Sequence, residues 1–185
     1  QKTAHVRMMN KAVDYLGRYA SSRQKLRQIL QRFASRRLSD YDAKDIAAAI
    51  QQTIDKCSQL GYLDDQEFAV TLARSQRRLG RSQAMIRRRL SQHALCDDII
   101  AHALAEADDD NSNGDLQAAI RFAQRRRLGP FAKRQSAHHQ RLDAHQWKQR
   151  DLGAMARAGF SMATSKQILD HDDPNTIDDL LHQLD

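Results

Sequence analysis

Arginine is concentrated in one stretch of the chain, between residues 74 and 89. Seven of these sixteen residues are arginine and none is acidic. A guanidinium group holds its N–H donors in a planar fork, so it binds carboxylate or phosphate groups through two parallel hydrogen bonds. The stretch is therefore a candidate binding surface for acidic protein segments or a nucleic-acid backbone, formed by Arg74, Arg77, Arg78, Arg81, Arg87, Arg88 and Arg89.

The spacing of these arginines indicates which of them act together. The first four are separated by three, one and three residues, so on a helix they share one exposed face. The last three span most of a turn, so at least one of them points away from Ile86 and Leu90. The alternative is a solvated face with ordinary surface ion pairs. We favour binding because few acids are nearby in sequence, and a second basic group follows at Arg125, Arg126 and Arg127.

Residue patterns for catalysis or metal binding are missing from the sequence. It contains no phosphate-binding glycine loop, no nucleophile elbow and no zinc-protease motif. His138, His139 and His145 lie close together, but no Cys or acid completes a metal site beside them. Asp108–Asp110 lacks the spacing of a calcium loop and is interpreted as linker charge. We therefore expect neither enzyme activity nor a bound metal or cofactor.

Cysteine usage and hydropathy bear on the compartment. Cys57 and Cys96 are too few for a disulfide framework, and both are predicted to be buried thiols, which is typical of a reducing compartment. We find no run of about 18 apolar residues that could span a membrane, and no apolar core of a signal peptide. The expected location is the cytoplasm, with no membrane partner.

The net charge of +7 is unevenly distributed. Residues 1–95 carry 19 Lys and Arg against 8 Asp and Glu, whereas residues 96–185 carry 11 against 15. A basic balance of this kind indicates an acidic or nucleic-acid partner. Any electrostatic contact with phosphate groups is expected mainly in the first half of the chain.

The elements that position these residues are predicted to be helices. Ala, Leu, Gln and Arg are abundant, aromatic residues make up 5%, and only two prolines occur. Apolar residues recur at helical spacing; for example, Ile46, Ile50, Ile54 and Cys57 are four, four and three residues apart. Ser and Asp caps and following glycines divide the chain into nine short helices, so the predicted class is all-α.

The nine helices fall into three groups of three. Arg77-Arg78-Leu79-Gly80 returns as Arg126-Arg127-Leu128-Gly129, each time near a helix end. This recurrence predicts that the chain is built from small repeated units that pack end to end. The predicted units are residues 1–62, residues 63–108, and residues 109–185 with an inserted loop or extra helix near 131–147.

The most specific segment is Leu60-Gly61-Tyr62-Leu63-Asp64-Asp65, followed by Phe68-Ala69. Further matching residues are Tyr15-Leu16, Ser22-Arg23, Ile86-Arg87, Ile99-Ile100 and Ala156–Ser161. Together these motifs resemble the RecX family of bacterial regulators of the RecA recombinase. The resemblance covers roughly residues 11–170 and is strongest over residues 58–107.

The resemblance implies three tandem three-helix repeats in an elongated, curved array. It also implies binding in the helical groove of the RecA–single-stranded DNA filament. Separately, we expect a monomer, with double-stranded DNA as a further candidate ligand. The family inhibits the ATPase, strand exchange and coprotease activities of RecA, and so modulates recombination, DNA repair and the SOS response.

The specific segment itself is predicted to be structural. Gly61 permits a positive φ at a helix end, Asp64 can cap the next helix, and Tyr62 and Leu63 can pack between two units. The segment therefore identifies the family without being the binding site; its residues are Gly61, Tyr62, Leu63, Asp64, Asp65 and Phe68.

Two other functions remain open from the residues alone. Three-helix units can act as helix-turn-helix modules, so the chain could bind DNA by itself. The low aromatic content argues against binding single strands by base stacking, but contacts with phosphate groups would suffice. The second of these alternatives is an adaptor that only holds proteins together.

Overall fold

Every regular element of the described residues is helical in the computed structural model. Those residues are 3–108, 113–132 and 143–177. Nine α-helices occur in these ranges, with a 3₁₀ turn at Gly129–Phe131 between α7 and α8 and the start of a further helical turn at 174–177. The predicted all-α class is confirmed. The helices are α1 Ala4–Leu16, α2 Arg23–Arg37, α3 Ala43–Gln59, α4 Asp65–Arg78, α5 Gln83–Ser91, α6 Asp97–Ala107, α7 Gly114–Arg126, α8 Ala144–Arg157 and α9 Met162–Leu169.

Three separate hydrophobic cores lie along the chain. The first joins α1, α2 and α3 around side chains such as Met8, Leu26 and Ile54. The second joins α4, α5 and α6, and the third joins α7, α8 and α9 around Met155 and Ile168. The most extensive helix contacts are α1 with α3, α4 with α6, and α8 with α9. Each of these pairs lies within a single unit. Each group is therefore a unit with its own core, whereas the curvature of the array and the unit boundaries remain predictions.

The second helix of each unit begins in the same way. Ser22, Ser82 and Asp143 precede α2, α5 and α8, and each side chain accepts a hydrogen bond from the backbone N–H three residues later. Such a cap satisfies one of the unpaired N–H groups of the first turn and contributes about 1 kcal/mol. The prediction that Ser side chains cap helices is confirmed at Ser22 and Ser82.

The cap at Asp143 changes the predicted extent of the insertion. Asp143 and Gln146 form a reciprocal capping box, so α8 begins at Ala144 and contains Trp147. Residues 144–147 of the predicted insertion near 131–147 are therefore the first turn of α8, while the insertion as a whole stays a prediction. The sequence did not indicate this start because the first turns of α8 face solvent and lack an apolar stripe, although Asp143 and Gln146 have the spacing of a capping box. Residues 133–142, including His138 and His139, lie outside the described residues.

Candidate partner-binding surface

Most of the predicted arginines are exposed, but they differ in their contacts. Arg78, Arg81 and Arg87–Arg89 lie on the surface of the second unit, and Arg125–Arg127 lie at the end of α7 in the third unit. Arg74 is exposed but forms an ion pair with Glu106, with 2.8 Å between Nη2 and Oε2. The Nη1 group of Arg125 donates to the Leu79 carbonyl oxygen at 3.0 Å. These last two side chains already have partners within the chain.

Arg77 is not exposed, so the prediction of an exposed face with all four arginines is wrong for this residue. Its relative exposure is 6%. Its Nη1 donates to Asp115 Oδ1 at 3.0 Å and to the Arg81 carbonyl oxygen at 2.9 Å. Its Nη2 donates to Asp108 Oδ2 at 2.9 Å, and its Nε lies 2.6 Å from Asp108 Oδ1. Arg77 therefore joins the ends of α4 and α6 to the start of α7, and its guanidinium group is bound within the chain.

The acids that pair with these arginines come from distant parts of the sequence. Glu106, Asp108 and Asp115 are 31 to 38 residues away from Arg74 and Arg77. The interpretation of Asp108 as linker charge is wrong, because its carboxylate is bound to the Arg77 guanidinium. Although no acid lies close to Arg74 and Arg77 in the sequence, both guanidinium groups are therefore paired in the structure.

The junction between the second and third units depends on the start of α5. Ser82 Oγ donates to the Ala158 carbonyl oxygen at 2.7 Å, just after α8. The Gln83 backbone N–H donates to Asp115 Oδ1 at 2.7 Å, in the first turn of α7. Asp115 thus accepts from both Gln83 and Arg77 and links the two units through two different groups.

The junction between the first and second units is built in the same way, one unit earlier. Ser22 Oγ lies 3.3 Å from His93 Nδ1, just after α5. The Arg23 backbone N–H donates to Asp65 Oδ1 at 2.8 Å, in the first turn of α4. In both junctions a second helix bonds through its cap serine and its first N–H to the following unit. Neighbouring units are therefore held in a repeated arrangement.

His93 is the titratable ring of the first junction. Partial burial lowers the pKa of His93, and the positive charges of Arg89 and Lys25 lower it further, while Asp65 acts in the opposite direction. The ring also meets the edge of Phe68, with 4.9 Å between ring centroids. The neutral imidazole is thus the form that suits this packed position.

The Gly61–Phe68 segment contributes mainly to packing and capping. Gly61 has φ +74° after α3, Leu63 is buried in the first core, and Asp64 accepts from the Gln66 and Glu67 N–H groups. Tyr62 is 54% exposed, so the expectation that it packs between units is wrong. Two neighbouring acids thus have different tasks, since Asp64 caps α4 whereas Asp65 bonds across the junction.

Two basic clefts lie at these junctions. One cleft, of about 410 Å³, is lined by α5, α7 and α8 and contains Arg81 and Arg126. It also contains Arg150 and Arg157, two arginines of α8 that were not predicted as site residues. Their separation of seven residues places them on one helix face, which is the signal that could have identified them. The other, of about 430 Å³, lies between α2 and α5 and contains Lys25, Arg89 and His93. Such surfaces can bind anionic groups.

The remaining candidate chemistry is limited to single side chains. Cys57 is buried, and burial raises the pKa of its thiol. Cys96 is exposed at the start of α6, which corrects the prediction that both thiols are buried.

Within residues 3–108, 113–132 and 143–177, no three His, Cys, Asp or Glu side chains gather closely enough to hold a metal ion. None of the helices in those ranges combines the length and apolar character needed to cross a bilayer.

Comparison with known structures shows the fold. The chain is similar to a crystal structure of a regulatory protein RecX, with TM-score 0.69, 16% identity, and coverage of 91% of this chain and 72% of that one. It is also similar to the crystal structure of RecX from Lactobacillus salivarius, with TM-score 0.67, 16% identity, and coverage of 91% and 96%.

Comparison of sequences identifies the family. The family model described as the RecX second three-helix domain matches residues 64–104, from the cap of α4 to α6. A regulatory protein RecX from Myxococcus xanthus is 30% identical over 172 residues, which is 92% of this chain and 88% of that protein. A regulatory protein RecX from Prosthecochloris aestuarii is 30% identical over 88% of this chain and 91% of its own length. With these matches, its three-helix units and its Gly61–Phe68 segment, the chain belongs to the RecX family of regulatory proteins.

Proposed function

We propose that this protein binds the RecA–single-stranded DNA filament and inhibits the ATPase, strand exchange and coprotease activities of RecA. The observation that carries the proposal is the family membership, over 92% of the chain. The exposed arginines on the second and third units support it, because a protein–DNA filament offers both carboxylate and phosphate groups. In this proposal the protein acts as a cytoplasmic, non-catalytic monomer.

The proposed mechanism depends on units held in a defined arrangement. Arg87–Arg89 and Arg126–Arg127 are exposed on neighbouring units, and hydrogen bonds at the junction connect those units. Two weak contacts joined by a stiff connection bind more tightly than either contact alone. Contacts with adjacent RecA subunits would oppose the subunit movements that ATP turnover requires, and inhibition would follow.

The test is DNA-dependent ATP hydrolysis by RecA with substoichiometric amounts of this protein. We expect the wild type to inhibit, and the R87E/R88E/R89E variant to need at least about tenfold more protein, since each charged contact contributes about 1.5 kcal/mol or more. The matched control is R32E/R36E/R37E, which makes the same charge change at exposed positions on α2. Equal inhibition by wild type and R87E/R88E/R89E would contradict the proposed binding surface.

A second candidate is a DNA-binding protein that acts without RecA, which the net charge of +7 favours. Tight binding to duplex DNA, steeply weakened by salt and accompanied by no inhibition of RecA, would support this alternative. Measuring both the inhibition of RecA ATP hydrolysis and the binding of duplex DNA therefore separates the two functions.

A further inference from the structure

Four guanidinium groups surround the cleft of about 410 Å³ at the junction of the second and third units. Arg81 precedes α5, Arg126 ends α7, and Arg150 and Arg157 lie on α8. All four side chains are exposed, and none of them forms an ion pair with a carboxylate of the described residues. Like charges around one concave surface repel each other and together attract an anionic group.

Two of these arginines are held in place without being neutralised. The Arg126 guanidinium carbon lies 5.9 Å from the centroid of the Phe122 ring, and that of Arg150 lies 4.9 Å from the centroid of the Trp147 ring. Contacts of this kind orient a cation while leaving its charge and its N–H donors available. The cost of ordering these side chains upon binding is correspondingly smaller.

The floor of the cleft is apolar. It is formed by Met85, Phe122, Leu128 and Ala154. The Phe122 ring is 8% exposed and packs against Phe160, with 5.5 Å between centroids. The floor can therefore accept an aliphatic side chain, but Phe122 does not present the open ring face on which single-stranded nucleic acids stack their bases.

One wall of the cleft carries a carboxylate. Asp151 is buried, and its Oδ2 accepts a hydrogen bond from the Gly129 N–H at 2.8 Å. A carboxylate in this wall repels a phosphodiester backbone, which has no N–H group to offer in return. A polypeptide backbone does have N–H donors, so the wall favours a protein segment over a nucleic acid.

We propose that this cleft binds an acidic protein segment in which an apolar side chain lies between carboxylates. The apolar side chain contacts the floor, and the carboxylates bind the guanidinium groups of the rim through paired hydrogen bonds. The proposal deepens the proposed function and rests on it for the identity of the partner, because it assigns a protein contact rather than DNA to this junction.

The test measures peptide binding by this protein in the absence of RecA. The probe is a short fluorescently labelled peptide in which Glu and Leu alternate, and binding is followed by fluorescence anisotropy. We expect the R126E/R150E variant to bind at least about tenfold more weakly than wild type. The matched R32E/R36E variant reverses two exposed arginines outside the cleft, both on α2, and is expected to bind within about twofold of wild type.

Two further probes identify what the cleft recognises. A peptide with every Glu replaced by Gln is expected to bind poorly, and oligo-dT binding is expected to respond equally to both double variants. Failure of the acidic peptide to bind wild type, or equal weakening by both double variants, would overturn the proposal. Loss of oligo-dT binding confined to R126E/R150E would also overturn it, in favour of a nucleic-acid site.

Circular dichroism of each variant checks its folding, and R126Q/R150Q repeats the comparison without charge reversal. The inhibition assay is a separate readout. Peptide binding with no inhibition of RecA would refute the proposed function alone, whereas inhibition without peptide binding would refute the cleft proposal alone.

Discussion

Arg77 and Arg78 are adjacent on α4, but they have opposite environments. The side chain of Arg77 is enclosed by Asp108, Asp115 and the Arg81 carbonyl group, whereas Arg78 is exposed. A buried ion pair gains little over an apolar replacement, but removing one partner leaves an uncompensated charge. The same guanidinium group therefore serves internal structure at Arg77 and is available to a partner at Arg78.

The R77M variant tests this difference. It removes the cation from two carboxylates, one of them largely buried, so we expect the free energy of unfolding to fall by about 3 kcal/mol, the lower end for such pairs, since Asp115 is partly solvated. Urea denaturation followed by circular dichroism measures the change. The R78M control should remain within about 0.5 kcal/mol of wild type; equal losses in both variants would refute the structural role of Arg77.

At the scale of elements, helix ends determine how the units meet. Gly159 ends α8 with φ +84°, and a Cβ atom there would lie 2.6 Å from Ser82 Oγ. Gly61 ends α3 with φ +74°, but nothing lies within 4 Å of its added Cβ. The two glycines share a left-handed backbone, yet only Gly159 is also required by the close approach of another element, the start of α5 in the second unit.

The pair G159A and G61A separates these two requirements. Both variants place a side chain at positive φ, which costs about 1 kcal/mol. G159A also displaces Ser82 from the junction, so we expect its melting temperature to fall further than that of G61A. Thermal unfolding of both variants measures the difference, and equal shifts would show that close packing at Gly159 contributes nothing.

At the scale of the whole molecule, stability depends on the junctions between three cores. His93 lies at the first junction beside Ser22, and its lowered pKa means that the unfolded chain binds the proton more readily than the folded chain. Stability therefore rises with pH between the lowered pKa and the ordinary value of about 6.5, and is fully present above it.

The H93Q variant tests this contribution. Wild type should lose stability as pH falls below about 6.5, and H93Q should lose less over the same range, because it has no proton to bind at this position. Urea denaturation at a series of pH values gives both curves. Parallel curves would show that His93 makes no contribution to the pH dependence.

Helical periodicity and caps were readable from the sequence because both are local. The spacing of Ile50, Ile54 and Cys57 predicted a buried face on α3, and the cap predicted at Asp64 is present. Solvent-facing turns such as the start of α8 were missed, since no apolar stripe marks them. The Gly61–Phe68 segment was sufficient to indicate the family.

The tertiary structure decided which charges are available and how the units are joined. Arg77 pairs with Asp108 and Asp115, which are more than 30 residues away, so burial at this position could not follow from neighbouring residues. The same holds for the cleft, where Arg81 and Arg126 meet Arg150 and Arg157 from another helix. Exposure and pairing depend on contacts between distant segments, whereas helix formation and capping depend on residues within one turn of each other.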